Sequence, residues 1–456
     1  MPRRPLPLRL SGAALALLAS LGGCGSDRPA QPTGPTTTGP GRAAAKTPRA
    51  TPRAPDPLDD PEPGTTPTTP TTPTAPIAPT APAALAPLPA PSATGTPPAR
   101  GCIATAEPVL VWAHEGPAAI AAHGHAFVVA GISSSASGAE ELFVVRVAPG
   151  EPPAPIGTLA LVTAGLEERI APPAITAVDA TDVAVALVDA GRTLRSGRVS
   201  VSPPAGRVEL AELASGADNR MAPALRAVGR RVAVAYTDGS GTPMRVKLVL
   251  LDAGGHHDPA RDLTPPSMGA SAPTFVDGLT TPTLVFVDAR DAISPIVRVT
   301  LSSDGVPSPG QVVVPVGVVS TPPELAAAFA PSGAWVGYTV VGHLASTAVG
   351  LVRLDRNSEA PTALVPGTAY SPLHVAAVAT PDAVVFAADA PTGPGREPPH
   401  EIHVRRVDAE GAGPVLVLRA PDGTAAHAAI ARRADGTVAV AFSAASGVYV
   451  QTARCQ

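Results

Sequence analysis

The sequence predicts an all-β fold: a seven-bladed β-propeller of four-stranded antiparallel blades, preceded by a signal peptide and a disordered Pro/Thr/Ala-rich linker. Three observations predict it. Pro173, Pro223, Pro273, Pro323 and Pro372 open successive units spaced 50, 50, 50 and 49 residues apart, and self-similarity at a fixed period marks a repeat architecture. Each unit carries short runs of apolar residues at period two, the pattern of strands and not of helices. Finally, the last unit stops after its third strand, and a match to the missing fourth strand stands at the front of the repeat region. A closed ring would place it there.

The elements follow in chain order. Arg3, Arg4 and Arg9 form a basic start, and Leu10–Leu21 (LSGAALALLASL) is an apolar run of 12 residues. That run is too short for a permanent membrane span and has the flanks of a secretory signal. It ends Leu21-Gly22-Gly23-Cys24. Residues 25–100 are rich in Pro, Thr and Ala, with runs such as TTPTTPTTPTAPIAPTAP, and no apolar periodicity survives there. Such a composition cannot bury a core. Proline holds it near polyproline II, which gives a tether of at most about 230 Å at roughly 3.1 Å per residue.

The units proper occupy residues 101–456. Met221–Asp252 shows the plan most cleanly: Pro223, a short apolar run, a turn, the alternating strand VAVAY ending at Asp238, a Gly/Ser turn and a returning strand MRVKLVLLD. Weaker later strands complete most units, as in Gly413–Arg419 (GPVLVLR). Glu107–Trp112 (EPVLVW) matches Gly413–Leu418 (GPVLVL), so residues 103–113 are expected to complete the seventh blade. Both chain ends would then share one sheet. Of three cysteines, Cys102 and Cys455 would meet there and form a disulfide that locks the ring.

The small residues before Cys24, with Leu three positions back, resemble the lipobox of bacterial lipoproteins. The chain is thus similar to bacterial lipoproteins bearing a β-propeller. The resemblance implies that residues 1–24 are a lipoprotein signal peptide and that Cys24 is lipidated and becomes the new N-terminus. It also implies a place in the cell envelope. Gly25 after the cysteine favours the outer membrane in a two-membrane host, on its periplasmic or cell-surface side. Neither motif implies a particular ligand.

Charge excludes one class of partner. The net charge is −4 with 15% charged residues, and no basic stripe exists to neutralise the phosphates of a nucleic acid. Several recurring residues invite chemistry. Asp189, Asp238, Asp288 and Asp389 follow the second strand of four units; convergent carboxylates bind cations, but Asp also opens turns by bonding its own backbone, and that is the role expected. Arg146, Arg198, Lys247, Arg298, Arg353 and Arg406 recur in the third strand. A ring of anion-binding cations is one reading; the expected one is outer-strand side chains with heads in water or paired to a nearby Asp. His123 with His125, His256 with His257, and His400 with His403 have no cysteine or carboxylate cluster to complete a metal set. His123 and His125 are expected in a turn, and His400 and His403 would face opposite sides of one strand.

No G-x-S-x-G elbow, phosphate-cradling glycine loop or H-E-x-x-H occurs, nor the Asp-box turns of sialidases or the signatures of WD40 repeats. No cofactor and no metal are expected. The leading expectation is a monomeric, non-enzymatic, lipid-tethered propeller that binds a protein or surface polymer. The alternative is a glycan-acting hydrolase or lyase with its site at the central channel. Polar clusters where first strands converge would favour the enzyme; small apolar residues would favour binding. Functional residues are expected in the parts that differ between units.

Overall fold

The computed structural model describes residues 100–134, 140–161, 171–202, 206–265, 267–288, 295–314, 323–341, 347–355, 362–366, 373–393 and 399–456. Cys24, the signal segment and the linker lie outside the described residues, as does Pro372. Among the described residues there is no helix; the strands form seven antiparallel blades.

The third blade shows how the sequence builds a unit. Ala224–Val228 is innermost, followed outward by Arg231–Asp238, Arg245–Leu251 and Arg261–Asp262. Each strand pairs antiparallel with the next, with Ala235 opposite both Ala224 and Leu248. The second strand is buried on both faces from Val232 to Asp238, because neighbouring blades cover both sides of it. Alternation in these strands therefore gives way to continuous apolar runs such as RVAVAY and TVAVAF. Seven buried apolar clusters result, one at each interface between blades.

Small residues let the blades approach. In the fifth blade, a Cβ on Gly337 would lie 2.9 Å from the ring of Phe386 and 3.0 Å from Val375, both of the sixth blade. Alanine and valine thus fill most of each interface, and at most two buried aromatics complete it, as Phe127 with Phe143 and Phe386 with Trp335 do. Pro117, Pro173, Pro223 and Pro323 stand just ahead of their inner strands, where no N–H is required. The exception is Pro273, which lies within the strand Ala270–Phe275 at a bulge between Ser271 and Thr274, with Ala272 at φ 52°. A bulge is one of the few interior strand positions that tolerates proline.

The ring closes as the sequence predicts. The innermost strand of each blade packs beside that of the next, and Ala426–Arg432 of the seventh blade packs beside Ala118–His123 of the first. In the seventh blade the outer positions are taken by Cys102–Ala104 and Val109–Trp112, both antiparallel to Gly447–Cys455. Cys102 lies opposite Cys455 in this register and is joined to it by a disulfide. Gly101 and Gln456 exchange two backbone hydrogen bonds of 2.9 Å beyond it.

Side chains at the ends of second strands add polar staples between blades. Ser443 Oγ accepts the N–H of Gly116, and Thr237 Oγ1 accepts that of Ala272. Asp389 does the same for the seventh blade with both of its oxygens.

Candidate functional site

In each blade the start of the inner strand and the end of the second strand lie on one face of the ring, here called the upper face. The turns joining inner to second strands lie on the lower face. The fourth blade's lower turn is longer than the others, and it reaches the inner strands of the next two blades. Asp277 N donates to Ala327 O (2.9 Å), and Phe329 N donates to Asp277 O (2.8 Å). Ala328 already uses its other edge to pair with Trp335, so Asp277 sits on the edge that faces the axis. Its carboxylate accepts the N–H of Ala379 at the end of the sixth blade's inner strand (2.8 Å). From the other side, the Arg226 guanidinium of the third blade donates to the carbonyls of Val276 and Leu279. Burial lowers the Arg226 pKa, and Asp277 opposes the shift. Gly278 makes the contact possible: its φ is +79°, and a Cβ there would lie 2.3 Å from Phe329 O. Four blades are thereby strapped together at the lower end of the axis.

The upper end carries an imidazole–carboxylate cluster from three consecutive blades. Glu324 leads into the fifth blade's inner strand, and its N–H is fixed by Thr339 Oγ1 at 3.0 Å. His374 leads into the sixth; its side chain is 7% exposed, and Nδ1 lies 2.6 Å from Oε1 of Glu324, which is 28% exposed. His427 belongs to the inner strand of the seventh blade, with its ring centroid 4.2 Å from that of His374 and the planes tilted 47°. Beneath them the fully buried Asp389 accepts the backbone N–H of His427 (3.0 Å) and of Ala428 (3.1 Å). His427 is held at φ 58° on a bulge between Ala426 and Ala429, a conformation that non-glycine residues hold only when their surroundings impose it. His400 opens the adjacent third strand. Burial raises the Asp389 pKa, opposed by His374, the two backbone donors and His400. Burial lowers that of His400, opposed by Asp389 and assisted by His374. Such a group can exchange protons and hold a polar ligand; among the described residues no three of its side chains are placed to hold a metal ion.

The residues singled out in the sequence are distributed as follows. Asp189 opens its turn, accepting the N–H of Thr193 (3.0 Å), and also binds Arg195 Nε (2.7 Å). Asp238 likewise accepts the N–H of Ser240 and pairs with Lys247 at 2.6 Å. Asp288 is buried at the end of its strand. Asp389 departs from the turn role expected of it: the next blade's bulged inner strand offers it two N–H groups, so it joins blades instead. Arg146 pairs with Glu151, Arg198 with Asp179 and Arg298 with Gln311. The Arg353 and Arg406 side chains are only 8% exposed, and of the two expected placements they take the one paired to a nearby Asp. Arg353 lies over the Trp335 ring and pairs with Asp355, and Arg406 is held between Asp382 and Asp408. His123 ends a strand and only Gly124 and His125 form the turn, where His125 meets Arg146 at 2.9 Å. His400 and His403 share the strand His400–Asp408; His403 bonds Glu401, away from the Asp389 cluster. His256 and His257 lie in an exposed lower-blade loop. A second polar group on the upper face, Arg220 on Asp218 and Arg195 on Asp189, satisfies itself.

Sequence reasoning found Asp389 and His400 but not Glu324, His374 or His427. The repeat held the signal. The residue after the opening proline is Ala118, Ala174 and Ala224 in the first three units and Glu324 in the fifth.

No protein-family model matches the chain, and no curated protein matches it. Among solved structures, the WD40 domain of Toxoplasma gondii coronin is similar at 11% identity and a TM-score of 0.49, covering 77% of this chain and 85% of that one. The polysaccharide lyase Uly1 is similar at 8% identity and a TM-score of 0.48, covering 75% and 90%. A puromycin hydrolase mutant complexed with PGG is similar at 14% identity and a TM-score of 0.47, covering 75% of this chain and 54% of the hydrolase, so this chain spans about half of its length.

Proposed function

We propose that the chain is a lipid-anchored envelope propeller that binds a protein or surface polymer on its upper face, at the mouth framed by Glu324, His374 and His427. The observation that carries this reading is the asymmetry of the axis. The lower end is strapped by Asp277 and Arg226, and the inner strands along the axis are small and apolar, as in AAIAAH, LAAAFA and VAAVA, which favours binding, with polar groups gathered at the upper end. A rigid ring that presents one polar mouth suits recognition. Anchoring through Cys24 would leave residues 25–100 as the spacer.

Capture from intact cells tests the reading. The full chain and its Glu324→Ala variant are each crosslinked in place and recovered. A partner or polymer held by the wild type and lost from the variant supports it; equal recovery with both overturns it. Globomycin treatment tests the anchor: accumulation of uncleaved precursor supports lipidation at Cys24, and normal processing removes it. A glycan-acting hydrolase or lyase is a second reading, favoured by one observation, the carboxylate-oriented His374 beside a second imidazole. Release of shortened chains from an envelope polysaccharide, abolished in His374→Gln, would establish it over simple binding.

A further inference from the structure

The cluster at the upper mouth contains more proton-accepting groups than its carboxylates neutralise. Five titratable side chains face one another there from five elements: Glu324, His374, Asp389, His400 and His427. With all three imidazoles neutral and both carboxylates ionised the group carries minus two; with all three protonated it carries plus one. The carboxylates are already engaged inside the cluster. Glu324 holds His374, and both oxygens of Asp389 hold backbone donors of the seventh blade. The first two protons taken up therefore cancel the two carboxylates, and the third leaves these five side chains with one net positive charge. Two protonated rings 4.2 Å apart also repel each other unless an anion lies against them.

We propose that this cluster is a proton-gated oxyanion site, which takes the sulfate or carboxylate groups of an acidic polymer when its histidines are protonated and releases them when they are neutral. The proposal rests on the upper face being the binding face. Two observations show how the rings that would meet a ligand are held. His427 is kept in a left-handed backbone conformation by a buried carboxylate, an arrangement that fixes where its ring stands. His374 is fixed from the other side by Glu324. The sign of the dependence follows from linkage. A bound anion raises the histidine pKa values, so affinity is fully present below the free-state values and is lost as pH rises through the bound-state ones.

Dextran sulfate is the probe, with uncharged dextran beside it, titrated onto the full-length protein at about pH 5.5 and about pH 8, either side of the ordinary histidine pKa near 6.5. Dextran sulfate should bind at least about tenfold more tightly at the lower pH, sodium sulfate should compete with it, and dextran should not bind. His374→Gln should abolish the difference. His427→Gly should do so too, and glycine suits that residue's backbone, so this variant reads the ring alone even if the first folds poorly. His256→Gln, on an exposed loop, should change nothing. Equal pH dependence in wild type and His427→Gly overturns the proposal, as does equal affinity at both pH values. If Glu324→Ala still loses a partner captured from cells while dextran sulfate shows no pH dependence, only this inference falls and the binding face stands.

Discussion

Removing the ring-closing disulfide should cost a large part of the fold's stability, because it crosslinks nearly the whole propeller. The perturbation is the double substitution Cys102→Ser with Cys455→Ser, which leaves the register of Cys102–Ala104 on Gly447–Cys455 intact. The two cysteines are 353 residues apart in sequence. The loop-entropy relation then gives about 6 kcal/mol at 25 °C as an upper value, from which any strain in the native bridge is subtracted. Set against the roughly 5–15 kcal/mol that folded proteins command, this separates a robust ring from a marginal one. Denaturant unfolding of the oxidised wild type and the double variant measures the loss, and in a thermal scan it should appear as a drop of roughly 10 °C. Amide exchange should show where it falls, with residues 101–112 and 447–456 losing protection before the inner strands. Peptide mapping without reductant should recover Cys102 joined to Cys455. A loss below about 1 kcal/mol, or two free thiols in the wild type, would refute the idea that the bridge replaces the missing connection of the seventh blade.

Three further perturbations test the polar joints of the ring. Asp389→Ala orphans the N–H groups of His427 and Ala428 in a buried site and should cost about 2–4 kcal/mol in denaturant unfolding; a loss under about 0.5 kcal/mol would show that these donors find other partners. Gly278→Ala forces a side chain into a left-handed conformation against Phe329 O and should destabilise by about 1–3 kcal/mol; neutrality would mean that the strap is loose. The backbone N–H of Thr437 and the Arg433 guanidinium hold the exposed Asp435 carboxyl down to about 2. A lowered carboxylate pKa contributes stability that is present above the unfolded value and lost as pH falls through the folded one. The small stability gap between wild type and Asp435→Asn should therefore close between about pH 4 and pH 2, and a gap that persists at the acid end would contradict the assignment.

The architecture was legible because its cause is periodic. Each blade must bury the same second strand between the same kinds of neighbours, so VAVAY, TLVFVD and VVFAAD repeat in the sequence as they do in space. The match between Glu107–Trp112 and Gly413–Leu418 worked for the same reason, since both fill an outermost position. The cluster was not legible, because it has the opposite cause. Glu324, His374 and His427 depart from the repeat at positions that converge only after the ring closes, and His427 is brought forward by a bulge that period-two patterning does not encode. Asp389 was misjudged on the same ground: its sequence neighbourhood is that of a turn, while its hydrogen bonds belong to the next blade. Arg353 takes the second of the two placements expected of it, paired to Asp355, while the Trp335 ring that also covers it was not foreseen.

These two behaviours meet in the way the ring divides its labour. Inner-strand ends on the lower face are tied by backbone hydrogen bonds to Asp277, which need one glycine, one arginine and one aspartate but no particular neighbour chemistry. On the upper face the ties are made by side chains, hydroxyls at some joints and titratable groups at the cluster. A structural role alone would be served as well by the hydroxyls found at Thr237 and Ser443, which staple their blades without charge or proton exchange. Placing a buried carboxylate at Asp389 instead costs desolvation that a hydroxyl avoids, and holding His427 at positive φ adds strain. The positive φ is shared by Ala272 on the equivalent bulge that Thr237 staples, so the carboxylate in the staple is what sets this joint apart, and the proposed recognition at that mouth is one account of it, architecture the other. Replacing Asp389 by Thr, the residue that performs the same stapling in the third blade, separates the two. Stability close to wild type with the pH-dependent binding of dextran sulfate lost would assign the carboxylate to the site; retained binding would assign it to the fold.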